Sequence, residues 1–172
     1  MRRKKELPEL LIDVKLTRRK LQHSISRLDQ RIKTLEAVAI QSSSTITALS
    51  ARIAKEIDQL ERIKKRLYTL DVLLEMLEIR LETVISVGGL LEALRPVATA
   101  LKEVGKSFPI PMEISADFDD LLSSLGSYVS SGSGINIFAK RTISEETRRI
   151  LEEAESIASI KIKGEEREKL QS

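Results

Sequence analysis

Two long runs of apolar residues at alternating three- and four-residue spacing constrain this chain more than any other feature. The first is Leu7, Leu11, Val14, Leu21, Ile25, Leu28, Ile32 and Leu35, broken only by Arg18. The second is Ile46, Leu49, Ile53, Leu60, Ile63, Leu67, Leu70, Leu74, Leu77, Leu81 and Val84, with Glu56 its one polar member. Such spacing keeps one stripe of a helix apolar, and that stripe needs a partner helix to cover it. At 1.5 Å per residue, residues 8–38 span about 46 Å and residues 46–87 about 63 Å. Pro8 fits the first turn, where its missing N–H costs nothing, with Glu9 beside the positive end of the helix dipole. Gln41-Ser42-Ser43-Ser44-Thr45 has poor helix propensity and marks a turn. The simplest packing is an antiparallel hairpin folded there, the second helix overhanging the first. A fold near residue 43 sets Arg18 opposite about residue 68 and Glu56 opposite about residue 30, so these two do not pair. Each is expected to snorkel or to meet a local partner, such as Arg52 one turn before Glu56.

Gly88-Gly89 interrupts the second helix at about 1 kcal/mol per glycine relative to alanine. An apolar stripe resumes at Leu90, Leu91, Leu94, Val97, Ala98, Leu101 and Val104, which gives a hinge at Gly88 and Gly89 followed by a shorter helix over 90–104. Gly105 is read as that helix's end and Phe108-Pro109-Ile110-Pro111 as an extended linker. Ser115 is placed as the cap of a helix over 115–129 carrying Phe118, Leu121, Leu122, Leu125, Tyr128 and Val129. Ser130-Ser131-Gly132-Ser133-Gly134 reads as a flexible linker. Thr142-Ile143-Ser144-Glu145 fits a capping box that opens a last helix, with Ile150, Leu151, Ala154, Ile157 and Ala158 on one face. The charged tail from Lys163 is expected to fray. The organisation is thus a helical core over 1–129 (hairpin 8–87), a linker over 130–141, and a C-terminal helix and tail over 142–172.

Composition agrees with an all-α fold. The 172 residues are 41% hydrophobic and 32% charged but 3% aromatic, and seven Gly with four Pro leave little material for β turns. Residues 1–40 hold 11 Lys/Arg against 5 Asp/Glu, net +6, whereas residues 67–125 hold 4 against 10, net −6. A basic first half and an acidic second half suit binding a polyanionic surface with one end, or stacking copies head to tail. The plainer account is that long helices need many solvated charges of both signs.

Several chemistries are excluded. The absence of cysteine removes any disulfide framework or thiolate metal site and fits a reducing compartment, and His23, the single histidine, rules out multi-histidine metal sites. No apolar run of about 18 residues exists to span a membrane, and Met1-Arg2-Arg3-Lys4-Lys5 lacks the apolar stretch of a signal peptide. Gly105-Lys106-Ser107 resembles the end of a phosphate-binding loop, but its first glycine position is Ala100 and a helix precedes it. Asp119-Asp120 and Glu152-Glu153 are helical neighbours about 100° apart, so neither pair converges on one substrate atom. No nucleophile, metal site or nucleotide pocket is present, and the chain reads as a cytoplasmic non-enzyme without cofactor.

Arg80-Leu81-Glu82-Thr83-Val84, Gly88, Ala93-Leu94-Arg95-Pro96-Val97 and Lys102-Glu103, in that order and spacing, resemble the segment linking the second and third helices of the archaeal CdvB proteins, relatives of the eukaryotic ESCRT-III subunits. Ala54-Lys55-Glu56-Ile57, the run 24–28 and the run 150–155 also look like that family's, and the similarity covers about residues 8–160. Gly89 departs from it, standing where an Asp is common. The resemblance implies a subunit that polymerises with itself and with paralogous subunits on the cytoplasmic face of the membrane, at the division site, and constricts or remodels it in cell division or vesicle budding. It also implies that the last helix, through Ile150, Leu151, Ala154 and Ile157, folds back on the hairpin and holds the subunit closed. No proline-rich stretch follows residue 111, so the site that recruits an AAA-type ATPase in relatives is either missing or lies outside this sequence, and contact with such an ATPase is expected to be indirect. Arg2, Arg3, Lys4 and Lys5, with Arg18, Arg19 and Lys20, would hold an anionic membrane at about 1 kcal/mol per charge near its surface. A static coiled-coil scaffold without membrane activity is the alternative. Nucleic acid ranks third, because no aromatic residue stands among the N-terminal cations to stack on bases.

Overall fold

The computed structural model describes residues 4–42, 47–89, 91–107, 109–130 and 144–171. They form α1 (Leu7–Ser42), α2 (Thr47–Val87), a 3-10 turn (Leu91–Leu94), α3 (Arg95–Ser107), α4 (Met112–Ser130) and α5 (Glu145–Gln171), with no strand among them. The all-α reading holds. The positions Ile46, Leu90 and Phe108, most of the serine turn, the linker from Ser131 and the Thr142 end of the capping box lie outside the described residues.

α1 and α2 pair as an antiparallel hairpin. Its register differs from the expected one: Arg18 lies across from Asp71, Glu75 and Glu78, and Asp29 across from Lys64. Helix α1 runs on to Ser42, and each of its residues faces one several positions further along α2 than a fold at residue 43 would set opposite it. Glu56 is exposed, its polar group simply solvated.

The seams account for the middle of the interface. Val14, Leu21, Ile25, Ile32 and Leu35 on α1 and Leu67, Leu70, Leu74, Leu77, Leu81 and Val84 on α2 are all buried. Two departures arise because further helices pack on the pair. On α1, Leu10, Thr17 and Ser24 form a second buried line at seven-residue spacing, and Ser24 bonds to Glu113 of α4. On α2, every residue from Leu67 to Leu74 is buried, because α1, α3 and α5 all lie against this helix. A helix packed all round has no exposed face left for polar groups. Thr17 and Thr69 satisfy their hydroxyls by donating to Asp13 and Lys65 carbonyls, each four residues back at 2.8 and 3.1 Å.

α2 stops at Val87. Gly88 follows at φ +68°, its N–H bonded to the Val84 carbonyl at 2.9 Å. A side chain in this left-handed conformation would be strained, which makes glycine the fitting residue there. The chain then turns back through the 3-10 segment, pinned to α2 by Arg80, whose Nη1 donates to the Ala93 carbonyl at 2.6 Å. Pro96 occupies the first turn of α3, where no N–H is needed. Arg95 Nη2 reaches the Val129 carbonyl at 3.1 Å, capping an end group of α4.

Three boundaries depart from expectation. Gly105 lies within α3 and does not end it; a Cβ there would stand 2.8 Å from Phe118 Cε1, so the glycine admits a close helix crossing. α4 starts at Met112, with the Pro111 carbonyl accepting from the Ile114 and Ser115 N–H groups, so Ser115 is a helical residue and not a cap. α5 is capped by Ser144, whose Oγ accepts from Thr147 N at 3.2 Å, and it continues through the supposedly frayed tail to Gln171.

Candidate functional site: a basic face under α4 and the seat of α5

The N-terminal cations divide into four groups. Arg2 and Arg3 lie outside the described residues. Lys4, Lys5 and Lys20 lie on the side of α1 that α4 approaches. The Lys4 ammonium stands 4.2 Å from the centroid of the Tyr128 ring, and the Tyr128 hydroxyl donates to the Lys5 carbonyl. Lys5 Nζ pairs with Asp13 at 2.6 Å, which pushes its ammonium above the usual lysine range. Lys20 Nζ pairs with Asp117 at 2.5 Å, and Arg27 pairs with Glu113, which also accepts from Ser24 Oγ at 3.2 Å. Helix α4 therefore runs antiparallel to α1 with two carboxylates over two cations. Sequence reasoning named Lys20 but neither Arg27 nor the two carboxylates, Asp117 and Glu113.

Arg18 faces the other way. Its Nε lies 3.1 Å from Asp71, Nη1 2.7 Å from Glu78 and Nη2 3.5 Å from Glu75, and the side chain is only 17% exposed. Burial alone would weaken this cation, but bonds to Asp71 and Glu78 outweigh it and raise the guanidinium further. Arg18 neither snorkels nor meets a local partner, because the register of the hairpin brings three carboxylates of α2 across from it. In this arrangement its charge is held inside the fold, whereas Arg19 is exposed.

Of the four residues named on the last helix, Ile150 and Ala154 are buried, and Leu151 and Ile157 are half-buried against the core. Thr147 and Ala158 complete the strip, which packs on α2 and α3. The rest of the seat is polar. Tyr68 donates its hydroxyl to Glu165, and burial followed by that carboxylate pushes the phenol above its usual range, so it stays protonated. Lys161 Nζ lies 3.1 Å from Glu75. Asp29 accepts from buried Lys64 at 2.8 Å and from Lys169 at 2.9 Å, joining α1, α2 and α5 at one carboxylate. Burial pushes Asp29 up, but the bonds from Lys169 and Lys64 outweigh it and hold the carboxyl at about 2, below 3.8.

A carboxyl held below its unfolded value stabilises the fold above that value and loses the contribution as pH falls through its folded one. The Asp29 contribution is thus complete above about pH 4 and disappears toward pH 2. Asp29→Asn is expected to lower the melting temperature near neutral pH. Its deficit against the parent chain should shrink as pH falls from about 4 to 2. Melting curves across that range check this; a deficit constant to pH 2 would mean that the charge is not what Asp29 contributes.

No described helix is long and apolar enough to cross a membrane, and no cluster of three or more His, Cys, Asp or Glu residues suited to a metal occurs among the described residues. No protein-family model matches the sequence, and no solved structure does. Known proteins do. The chain is 29% identical over 161 residues to Cell division protein B3 of Sulfolobus acidocaldarius, covering 94% of this chain and 95% of that protein. It is 33% identical over 147 residues to Cell division protein B1 of the same organism, covering 81% of this chain and 67% of that protein. Cell division protein B, also of that organism, is 27% identical over 163 residues, 92% of this chain but 62% of its own length. The Arg80 to Glu103 resemblance and these three alignments agree, and the chain belongs to the CdvB family of ESCRT-III-like proteins.

Proposed function

We propose that this chain is a structural subunit of cell division that polymerises with itself and with paralogous subunits, binds the cytoplasmic face of the cell membrane through its basic N-terminal face, and remodels that membrane. The cell-division part rests on the relatives named above. The observation that carries the mechanism is the seat of α5. Its apolar strip is narrow, built of Ile150, Ala154 and Ala158 with Leu151 and Ile157 half-buried at its edges, and it is flanked by ion pairs that water already reaches. A tethered helix of this kind competes through its effective concentration, not through intrinsic affinity. Release of α5 uncovers α2 and α3, and a neighbouring copy then takes its place, with the break at Gly88 and Gly89 serving as the hinge.

Truncation after Ser133 is expected to promote polymerisation, and Leu151→Asp to have a smaller effect of the same sign. Light scattering and negative-stain microscopy of the purified chains, with and without anionic vesicles, read this directly. A truncated chain that stays monomeric where the intact one polymerises would make α5 an assembly contact and not a brake. Failure of every form to polymerise or bind vesicles would favour a static scaffold.

A further inference from the structure

α4 is more than the strut between α3 and the segment that leads to α5. Its apolar face, Ile114, Phe118, Leu121 and Leu125, is buried. Its edge toward α1 carries Glu113 and Asp117, one turn apart, on Arg27 and Lys20. Among the described residues α4 packs on α1, α3 and the 3-10 turn, whereas α5 packs on α2 and α3. The pairs that α4 makes with α1 are therefore distinct from the seat of α5 on α2, although both helices reach α3.

We propose that α4 is a second, independent cover: Glu113 and Asp117 stand in for lipid phosphates on Lys20 and Arg27, and anionic headgroups must displace them for the basic face to engage a membrane. This rests on the membrane reading given above. A carboxylate and a phosphate bind an ammonium or a guanidinium by the same charge-assisted hydrogen bonds, so one can replace the other. The pairs are open to water: side-chain exposure is 54% for Lys20 against 40% for Asp117, and 50% for Arg27 against 52% for Glu113. Exposed pairs of this kind are individually weak and exchange readily. The contact of Lys4 with the Tyr128 ring extends the cover by holding a third cation against α4. Arg19, exposed beside Lys20, supplies the first attraction before the covered cations are released. Binding then has a threshold: vesicles poor in anionic lipid do not displace the carboxylates, and richer ones do.

The test uses the full chain and phosphatidylcholine vesicles carrying increasing phosphatidylserine. Glu113→Gln with Asp117→Asn is compared with Glu152→Gln and Glu153→Gln, two exposed positions on α5 whose loss changes net charge equally. The α4 pair is expected to bind about 3- to 10-fold more tightly and to need a lower phosphatidylserine fraction, with the α5 pair shifting far less. Equal shifts in the two variants, or none in either, would overturn the cover while leaving membrane binding intact. Absence of binding by the parent chain and by all variants at low salt would overturn the membrane reading and the cover together. Circular dichroism melts of both variants confirm that each keeps the fold.

Discussion

Leu67→Ala is expected to destabilise the chain by about 2–5 kcal/mol, while Leu170→Ala leaves it unchanged. Leu67 is 2% exposed in the part of α2 that is packed on every side; Leu170 is 87% exposed near the end of α5. Removing three carbons from the first site forfeits transfer energy and leaves a hole that α1, α3 and α5, held by one another, fill only in part. For a chain of this size the loss amounts to roughly 5–15 °C in melting temperature. Leu28→Ala, on a half-buried residue of α1, should fall between the two. Thermal melts of the three variants check the order, and equal effects at Leu67 and Leu170 would contradict the packing.

Arg18→Met should cost about 2–4 kcal/mol, nearly as much, for an electrostatic reason. The guanidinium is the common partner of Asp71, Glu75 and Glu78, and Asp71 is only 8% exposed at its side chain. Removing one partner of a buried pair costs more than the pair contributes, because the remaining charge stays desolvated without compensation. Lys161, on Glu75 at 3.1 Å, offsets part of the excess negative charge, but one cation does not neutralise three carboxylates. Arg18→Lys should recover only part of the loss, since a single ammonium does not reproduce a fork aimed at three carboxylates. Urea unfolding measures both variants. A neutral Arg18→Met would mean that the three carboxylates are solvated, not buried against one another.

The hairpin was legible because an apolar stripe at heptad spacing is local information. What the stripe omits is everything set by a third helix. Thr17 and Ser24 are polar, so their line on α1 gives no hydrophobic signal, although α4 buries it. Val72 and Leu73 were visible as part of a nearly continuous apolar run from Leu67 to Leu77, a signature of burial on all sides that seam counting passed over. Gly105, followed closely by prolines, looks like a helix end; only the ring of Phe118, 13 residues on, reveals why no side chain fits there. Pro111 and Glu113 together did carry a helix-start signal that would have placed α4 correctly.

The site was less legible than the fold. Basic residues at 2–5 and 18–20 stood out by density, but density does not say which way each side chain turns. Arg18 differs from Arg19 by about 100° around one helix, and that rotation separates an interior cation from a solvated one. Asp29, Lys64 and Lys169 meet from three helices 35 and 105 positions apart in sequence, in a chain where nearly a third of all residues are charged, so nothing local marks them.

Burial is distributed unevenly along the hairpin. Around Leu67 to Leu74 four helices converge, whereas between Glu36 and Ile63 the described residues include just one buried side chain, Ile53. Cooperative units open in the order of their packing, so the two ends of this rod do not share one stability. The thick end behaves as an anvil that keeps its shape. The thin end is a two-helix blade whose backbone amides are expected to exchange with solvent long before those of the core, away from the seats of α4 and α5. In the polymer proposed above, such compliance would let one sequence meet a range of curvatures, because it is placed away from the seats of α4 and α5.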